Sequence, residues 1–265
     1  MSSNSDASLA FPFSAFRLDG KVALVTGASA GLGAGIVEAY AAAGAEVIAL
    51  ARSQDSLEAL AARIQGAGGR CRAAVCDVTD TAGLRQTIAG LPRLDILVNN
   101  AGTNFPEPID EVSEHHLDVM LDLNVRSVYI AAQCAVRKMR EDPERKSKGG
   151  VIINMSSQMG HIGSPNRTVY CMTKHALEGF TKALAVELAP EGIRVNSIAP
   201  TFVDTPLVRR VVDTPEKRAF IMSRIPMARL ATVEEISAAA LYLASPAAGM
   251  VTGTSLVVDG GWTAQ

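Results

Sequence analysis

Seven short apolar runs alternate with helix-length patterns along this chain of 265 residues. The runs are Lys21–Thr26, Glu46–Ala51, Arg72–Cys76, Leu94–Val98, Val151–Asn154, Arg194–Ala199 and Ser255–Val258. They are continuous and rich in Val, Ile and Leu, as parallel strands covered on both faces must be. Helices are predicted over Leu32–Ala43, Asp55–Gln65, Asp80–Ala89, Ser113–Met139 and Thr168–Leu188, with short pieces around Leu207–Ser223. Thr232 and Glu235 have the spacing of a capping box that opens a further helix to Ala244. Strand–helix alternation with right-handed crossovers predicts an α/β fold, a doubly wound parallel sheet in three α/β/α layers. No repeat or linker divides the chain. Residues 18–265 are expected to form one domain, and residues 1–17 a flexible leader without the basic start of a signal peptide.

Composition removes several classes of function. With 48% hydrophobic residues and 25 basic against 27 acidic side chains, the chain is neither disordered nor drawn to nucleic acid by charge. Cys71, Cys76, Cys134 and Cys171 form no CxxC pair and share no metal-ligand spacing with the histidines, so no metal site is expected. Sparse, unpatterned cysteine fits reduced thiols in a cytoplasmic protein. The most apolar stretch, Ile236–Val251, is interrupted by Ser245, Pro246 and Gly249, and no membrane span is expected.

Between the first strand and first helix lies Thr26-Gly27-Ala28-Ser29-Ala30-Gly31-Leu32-Gly33. Glycines there permit a tight turn and a close backbone approach to a pyrophosphate, which would rest on the positive end of the helix. Gly27, Ser29, Gly31, Leu32 and Gly33 are therefore candidate cofactor contacts. The spacing Gly-x-x-x-Gly-x-Gly departs from the commoner Gly-x-Gly-x-x-Gly, and a ligand-free tight turn is the competing reading.

Together with Asn99-Asn100-Ala101-Gly102 and Tyr170-Cys171-Met172-Thr173-Lys174, this loop resembles the short-chain dehydrogenase/reductase family over about Leu18 to Trp262. The resemblance implies a Rossmann-type sheet of about seven strands, a nicotinamide cofactor and a homotetramer assembled through Ser113–Met139 and Thr168–Leu188. It also implies that Asp77 and Val78 flank the adenine, that Asn100 and Gly102 line the adenosine side, and that Val203 and Thr205 hold the nicotinamide carboxamide. Asn99 is expected to be a structural hydrogen bonder. The family's usual Pro-Gly after the sixth strand is Pro200-Thr201 here. Ala51 stands where a carboxylate would select NAD, followed by Arg52, whose planar fork suits a 2′-phosphate. NADP(H) is favoured over NAD(H), although Ala30 replaces a second basic residue found in many NADP-using relatives.

Tyr170 and Lys174 lie four apart in a helical stretch and share a face. An ammonium about 4 Å from a phenol is worth roughly 4 kcal/mol at an effective dielectric of about 20, or about three pKa units. The pair is thus expected to bring a phenolate within reach near neutral pH, with Tyr170 as general acid/base. The resemblance adds a ribose contact for Lys174, makes Ser157 the hydroxyl that polarises the substrate carbonyl, and assigns Asn124 a water in a proton relay to Lys174. A buried role in helix packing is the competing reading of Asn124. Asn104, Gln158, Met159 and His161 are candidate rim residues, His115 and His116 are expected to be solvated, and Trp262 to lie at a subunit contact.

The expected activity is reversible hydride transfer between a nicotinamide and a secondary alcohol or ketone of a small polyol, sugar acid or similar compound. A 3-oxoacyl-carrier-protein reductase is the first alternative, disfavoured by Glu187 and Glu191 where basic residues would meet a carrier. A non-catalytic nucleotide-binding regulator is the second.

Overall fold

The computed structural model describes residues 13–212 and 214–265. One sheet of seven parallel strands organises the chain in the order β3-β2-β1-β4-β5-β6-β7. The strands are β1 (Val22–Thr26), β2 (Glu46–Ala51), β3 (Arg70–Val75), β4 (Ile96–Asn99), β5 (Gly150–Met155), β6 (Ile193–Pro200) and β7 (Ser255–Val258). The central strands β1, β4 and β5 are buried at every residue, while edge strand β3 exposes most of its residues. The doubly wound sheet expected from the sequence is the observed one.

The flanking helices are α1 (Gly31–Ala42), α2 (Gln54–Gly66), α3 (Thr81–Ala89), α4 (Glu114–Leu121), α5 (Ser127–Arg140), α6 (Arg145–Lys148), α7 (Thr168–Leu188), α8 (Pro206–Val211), α9 (Pro215–Arg224) and α10 (Val233–Ala244). Alternate strand side chains feed two cores. Ala23 and Val25 pack with Ile36, Tyr40, Leu57 and Ile236 of α1, α2 and α10. Val22 and Leu24 pack with Leu84, Ile88, Ala135 and Leu188 of α3, α5 and α7. Burying each such large aliphatic side chain contributes roughly 1.5–3 kcal/mol. The Tyr40 hydroxyl, fully buried, donates to the Ala240 carbonyl oxygen and ties α1 to α10.

Several boundaries differ from the sequence expectation by a residue or two. Strand β3 begins two residues earlier, because Gly68 turns in the left-handed region (φ +83°) and Arg70 pairs at once with Glu46. The helix predicted over Ser113–Met139 is capped by the Ser113 hydroxyl but contains a π turn, Asp122–Arg126, around buried Asn124. The run from Glu114 to Arg140 is long and apolar enough to cross a membrane by length and composition alone, and half of its most apolar window is buried inside the fold. At the amino end, Phe13–Phe16 form a 3-10 turn and Arg17 pairs with Asp19; the leader's first twelve residues lie outside the described ones. The capping box at Thr232 and Glu235 is present as expected.

Strand order reverses between β1 and β4. In open α/β sheets the crevice beyond the carboxyl ends at such a switch point is where ligands bind.

Candidate active site

Beyond the carboxyl end of β1, Gly27 and Gly31 adopt left-handed backbone angles (φ +64° and +56°). A Cβ on Gly33 would lie 2.3 Å from the Gly27 carbonyl oxygen, so only glycine lets α1 start this close to the loop. Ala30, the N-cap of α1, supplies no side-chain cap, which leaves the first-turn N–H groups facing outward for an anion.

A cleft of about 610 Å³ opens beside this loop. Of the expected cofactor residues, Gly27, Ser29, Arg52, Asp77, Val78 and Gly102 line it. Gly31, Leu32, Gly33, Asn100, Val203 and Thr205 do not. The Asn100 side chain donates instead to the Thr26 and Gly27 carbonyl oxygens, fastening the glycine loop to the end of β4. The Thr205 hydroxyl caps α8 by accepting from the Val208 N–H, and Val203 bridges to Ala231. Asn99 donates to the Asn154 side chain across the sheet, the structural role expected for it. Val119, Asp122 and Leu123 complete the cleft wall; their spacing on one helix face was the available sequence signal.

Arg52 is 81% exposed and stands 3.9 Å from Asp77. Burial opposes ionisation of Asp77, but the Thr79 N–H and hydroxyl and the Arg52 guanidinium outweigh it and hold the carboxyl below its ordinary value. An uncapped helix end, a glycine cradle and an exposed guanidinium fit the phosphates of a dinucleotide.

A second cavity, of about 160 Å³, is lined by Ser157, Gln158, Met159, Asn104 and Tyr170 among others. Ser157 ends the segment after β5; its hydroxyl donates to the Gln158 side chain and accepts from the Met159 N–H. Tyr170 and Lys174 lie on one face of α7, with the Lys174 nitrogen 5.4 Å from the Tyr170 ring centroid. That ammonium donates to the Met155 carbonyl oxygen at 2.8 Å.

The electrostatics differ from the sequence expectation. Burial dominates at Tyr170 and pushes the phenol above its ordinary value, against opposing pulls from a Ser157 hydrogen bond and the Arg167 charge. Burial also lowers Lys174 to about 8, although Glu178 favours the ammonium. Desolvation is the largest influence on both groups, and spacing alone does not convey it.

Asn124 is fully buried and its amide is committed: the Oδ1 accepts from the Thr103 N–H, and the Nδ2 donates to the Thr103 carbonyl and the Thr173 hydroxyl. The side chain pins Thr103 to α7 beside Lys174. Gly102 allows this approach, since a Cβ there would lie 3.2 Å from Asn124 Oδ1 and 3.8 Å from Lys174 Nζ.

His161 does not face the cavity. It bonds the Ser255 hydroxyl at 2.9 Å and lies 3.5 Å from Glu178, a buried carboxylate that sequence reading missed. His116 is not simply solvated: it bonds Glu107 at 2.7 Å and stacks on Phe105. Trp262 stacks on Phe202 within the chain. Arg167, Thr201 and Phe202 also line the small cavity.

A family profile described as Enoyl-(Acyl carrier protein) reductase matches residues 27–263. A D-threitol dehydrogenase of Mycolicibacterium smegmatis is 41% identical over 252 residues, spanning 94% of this chain and 95% of that protein. An L-xylulose reductase of Bos taurus is 40% identical over 94% of this chain and 98% of its own length. The chain belongs to the short-chain dehydrogenase/reductase family.

A crystal structure of a gluconate 5-dehydrogenase from Burkholderia cenocepacia J2315, in complex with NADP and tartrate, superposes with a TM-score of 0.89 at 34% identity, covering 95% of this chain and 98% of that one. As a short-chain dehydrogenase/reductase, the protein is an NAD(P)-dependent oxidoreductase acting on CH–OH groups.

Proposed function

We propose that the enzyme interconverts a secondary alcohol and a ketone on a small polyhydroxylated substrate bound in the 160 Å³ cavity. The observation that carries this reading is the placement of Ser157 and Tyr170 together on the wall of that cavity. The nicotinamide, when bound, supplies the hydride acceptor or donor. Tyr170 takes the hydroxyl proton during oxidation and returns it during reduction. Ser157 orients the substrate oxygen by hydrogen bonding, as an oxyanion donor does. Lys174 favours the phenolate electrostatically, and Asn124 keeps Thr103 and α7 in register around it.

The relatives named for threitol, xylulose and gluconate support a polyol, sugar or sugar acid as substrate. A cavity of only about 160 Å³ favours these over an acyl chain carried on a protein. For the cofactor we infer NADP(H): Arg52 lines the cleft where a 2′-phosphate would lie, and Ala51 offers no competing carboxylate. Gly27, Ser29, Gly31, Leu32 and Gly33 would hold the pyrophosphate against α1, Asp77 and Val78 the adenine. We read residues 18–265 as one domain that assembles as a cytoplasmic homotetramer. Exposed Tyr129, Met172 and Val186 on α5 and α7, and four free thiols, support that reading. A panel of polyols, aldonates and ketoses with both cofactors, followed at the nicotinamide absorbance, tests it; turnover of none of them contradicts it.

A further inference from the structure

The cavity beside Ser157 and Tyr170 contains a cation with no counter-charge among the described residues. Arg167 lines it, half-buried, and its one side-chain hydrogen bond among the described residues reaches the Asn166 carbonyl oxygen at 3.5 Å. Its place is set by the turn before α7: Asn166 is left-handed (φ 58°), and its carbonyl also accepts from the Glu107 N–H at 3.0 Å. A half-buried guanidinium gives up hydration and regains it only from an anion or several acceptors. Two more polar atoms in the same lining lack partners, the buried Thr201 hydroxyl and Asn104 Oδ1. Buried polar groups in folded proteins are paired, so three unmet groups around one small cavity point to a ligand that meets them.

We propose that Arg167 is the specificity-determining residue for an anionic substrate: it binds the carboxylate of a small polyhydroxy acid whose secondary alcohol faces Ser157 and Tyr170. Thr201 and Asn104 take hydroxyls of the same molecule. The inference rests on the alcohol-oxidising reading of the cavity and narrows it to acids. The planar guanidinium fork matches a carboxylate with two parallel hydrogen bonds. A neutral polyol leaves that charge unpaired and is disfavoured, because a site built around a polar partner rejects the analogue lacking it.

The sole tryptophan gives a readout that needs no turnover. Trp262 stacks on Phe202, whose ring lines the cavity, with centroids 5.9 Å apart. Tryptophan fluorescence is titrated with D-gluconate and with D-glucitol, its neutral counterpart, in the presence of NADPH, with which an alcohol cannot react. The wild-type chain is expected to bind gluconate at least about tenfold more tightly. Arg167→Gln should reduce the gluconate-to-glucitol affinity ratio about 10- to 100-fold, the usual range for a lost charge-assisted hydrogen bond, and Arg167→Lys should restore part of it. An unchanged ratio in Arg167→Gln overturns the proposal. So does equal wild-type affinity for the two compounds, or no saturable gluconate binding well above about 1 mM, the upper end of usual KM values. Binding of gluconate without oxidation by NADP would instead count against the catalytic reading alone.

Discussion

The Lys174 ammonium lies 5.4 Å from the Tyr170 ring centroid, yet its hydrogen bond goes to the Met155 carbonyl oxygen. The cation is therefore held near the phenol by the end of β5 rather than by the phenol itself. Position comes from the backbone, and burial pushes the phenol up and the ammonium down from their ordinary values.

Burying that ammonium costs stability. Lys174 titrates near 8 in the folded chain against an ordinary 10.5. Below pH 8 both states carry the charge and the cost is complete. Between about 8 and 10.5 the unfolded chain binds more protons, so this group makes stability rise with pH. Lys174→Met is expected to be more stable than wild type by up to about 3 kcal/mol at pH 7. The advantage should fade toward pH 10.5 in urea titrations, while activity is lost. A variant that is less stable at every pH contradicts this.

Arg52 tests cofactor choice. Arg52→Ala should lower kcat/KM for NADP by about 10- to 100-fold and leave NAD nearly unchanged. An equal fall with both cofactors removes Arg52 from 2′-phosphate recognition.

At the opposite end of the sheet, stability depends on buried Asp95. It accepts from the Val22 N–H at 2.9 Å and pairs with Arg93 and with buried Arg145. Asp95→Ala leaves buried Arg145 with only the more distant Asp142 carboxylate, 3.7 Å away, and is expected to cost about 3–5 kcal/mol in denaturant unfolding. Turnover per folded molecule should not change, since the cleft lies beyond the other strand ends.

The strands, the glycine loop and the Tyr170–Lys174 pair were legible because each is a local pattern. Residues buried on both faces of the sheet leave continuous apolar runs, and Gly27 and Gly33 answer to backbone geometry within one turn. What escaped depends on distant neighbours. Asn100 spends its amide on carbonyls more than seventy positions earlier, and His116 finds Glu107 and Phe105 across a loop. Arg167 gains meaning only when Thr201 and Asn104 stand in the same cavity. The phenol was misjudged because spacing conveys the Coulomb attraction but not desolvation, nor the direction in which Lys174 donates.

The central claim is that Tyr170 moves the substrate proton. Comparing Tyr170→Phe with the wild type on the best substrate from the panel, with NADP affinity measured alongside, tests it most directly. The account predicts a fall in kcat of about 10²–10⁴-fold with the NADP dissociation constant unchanged. Turnover by Tyr170→Phe at close to the wild-type rate would contradict it.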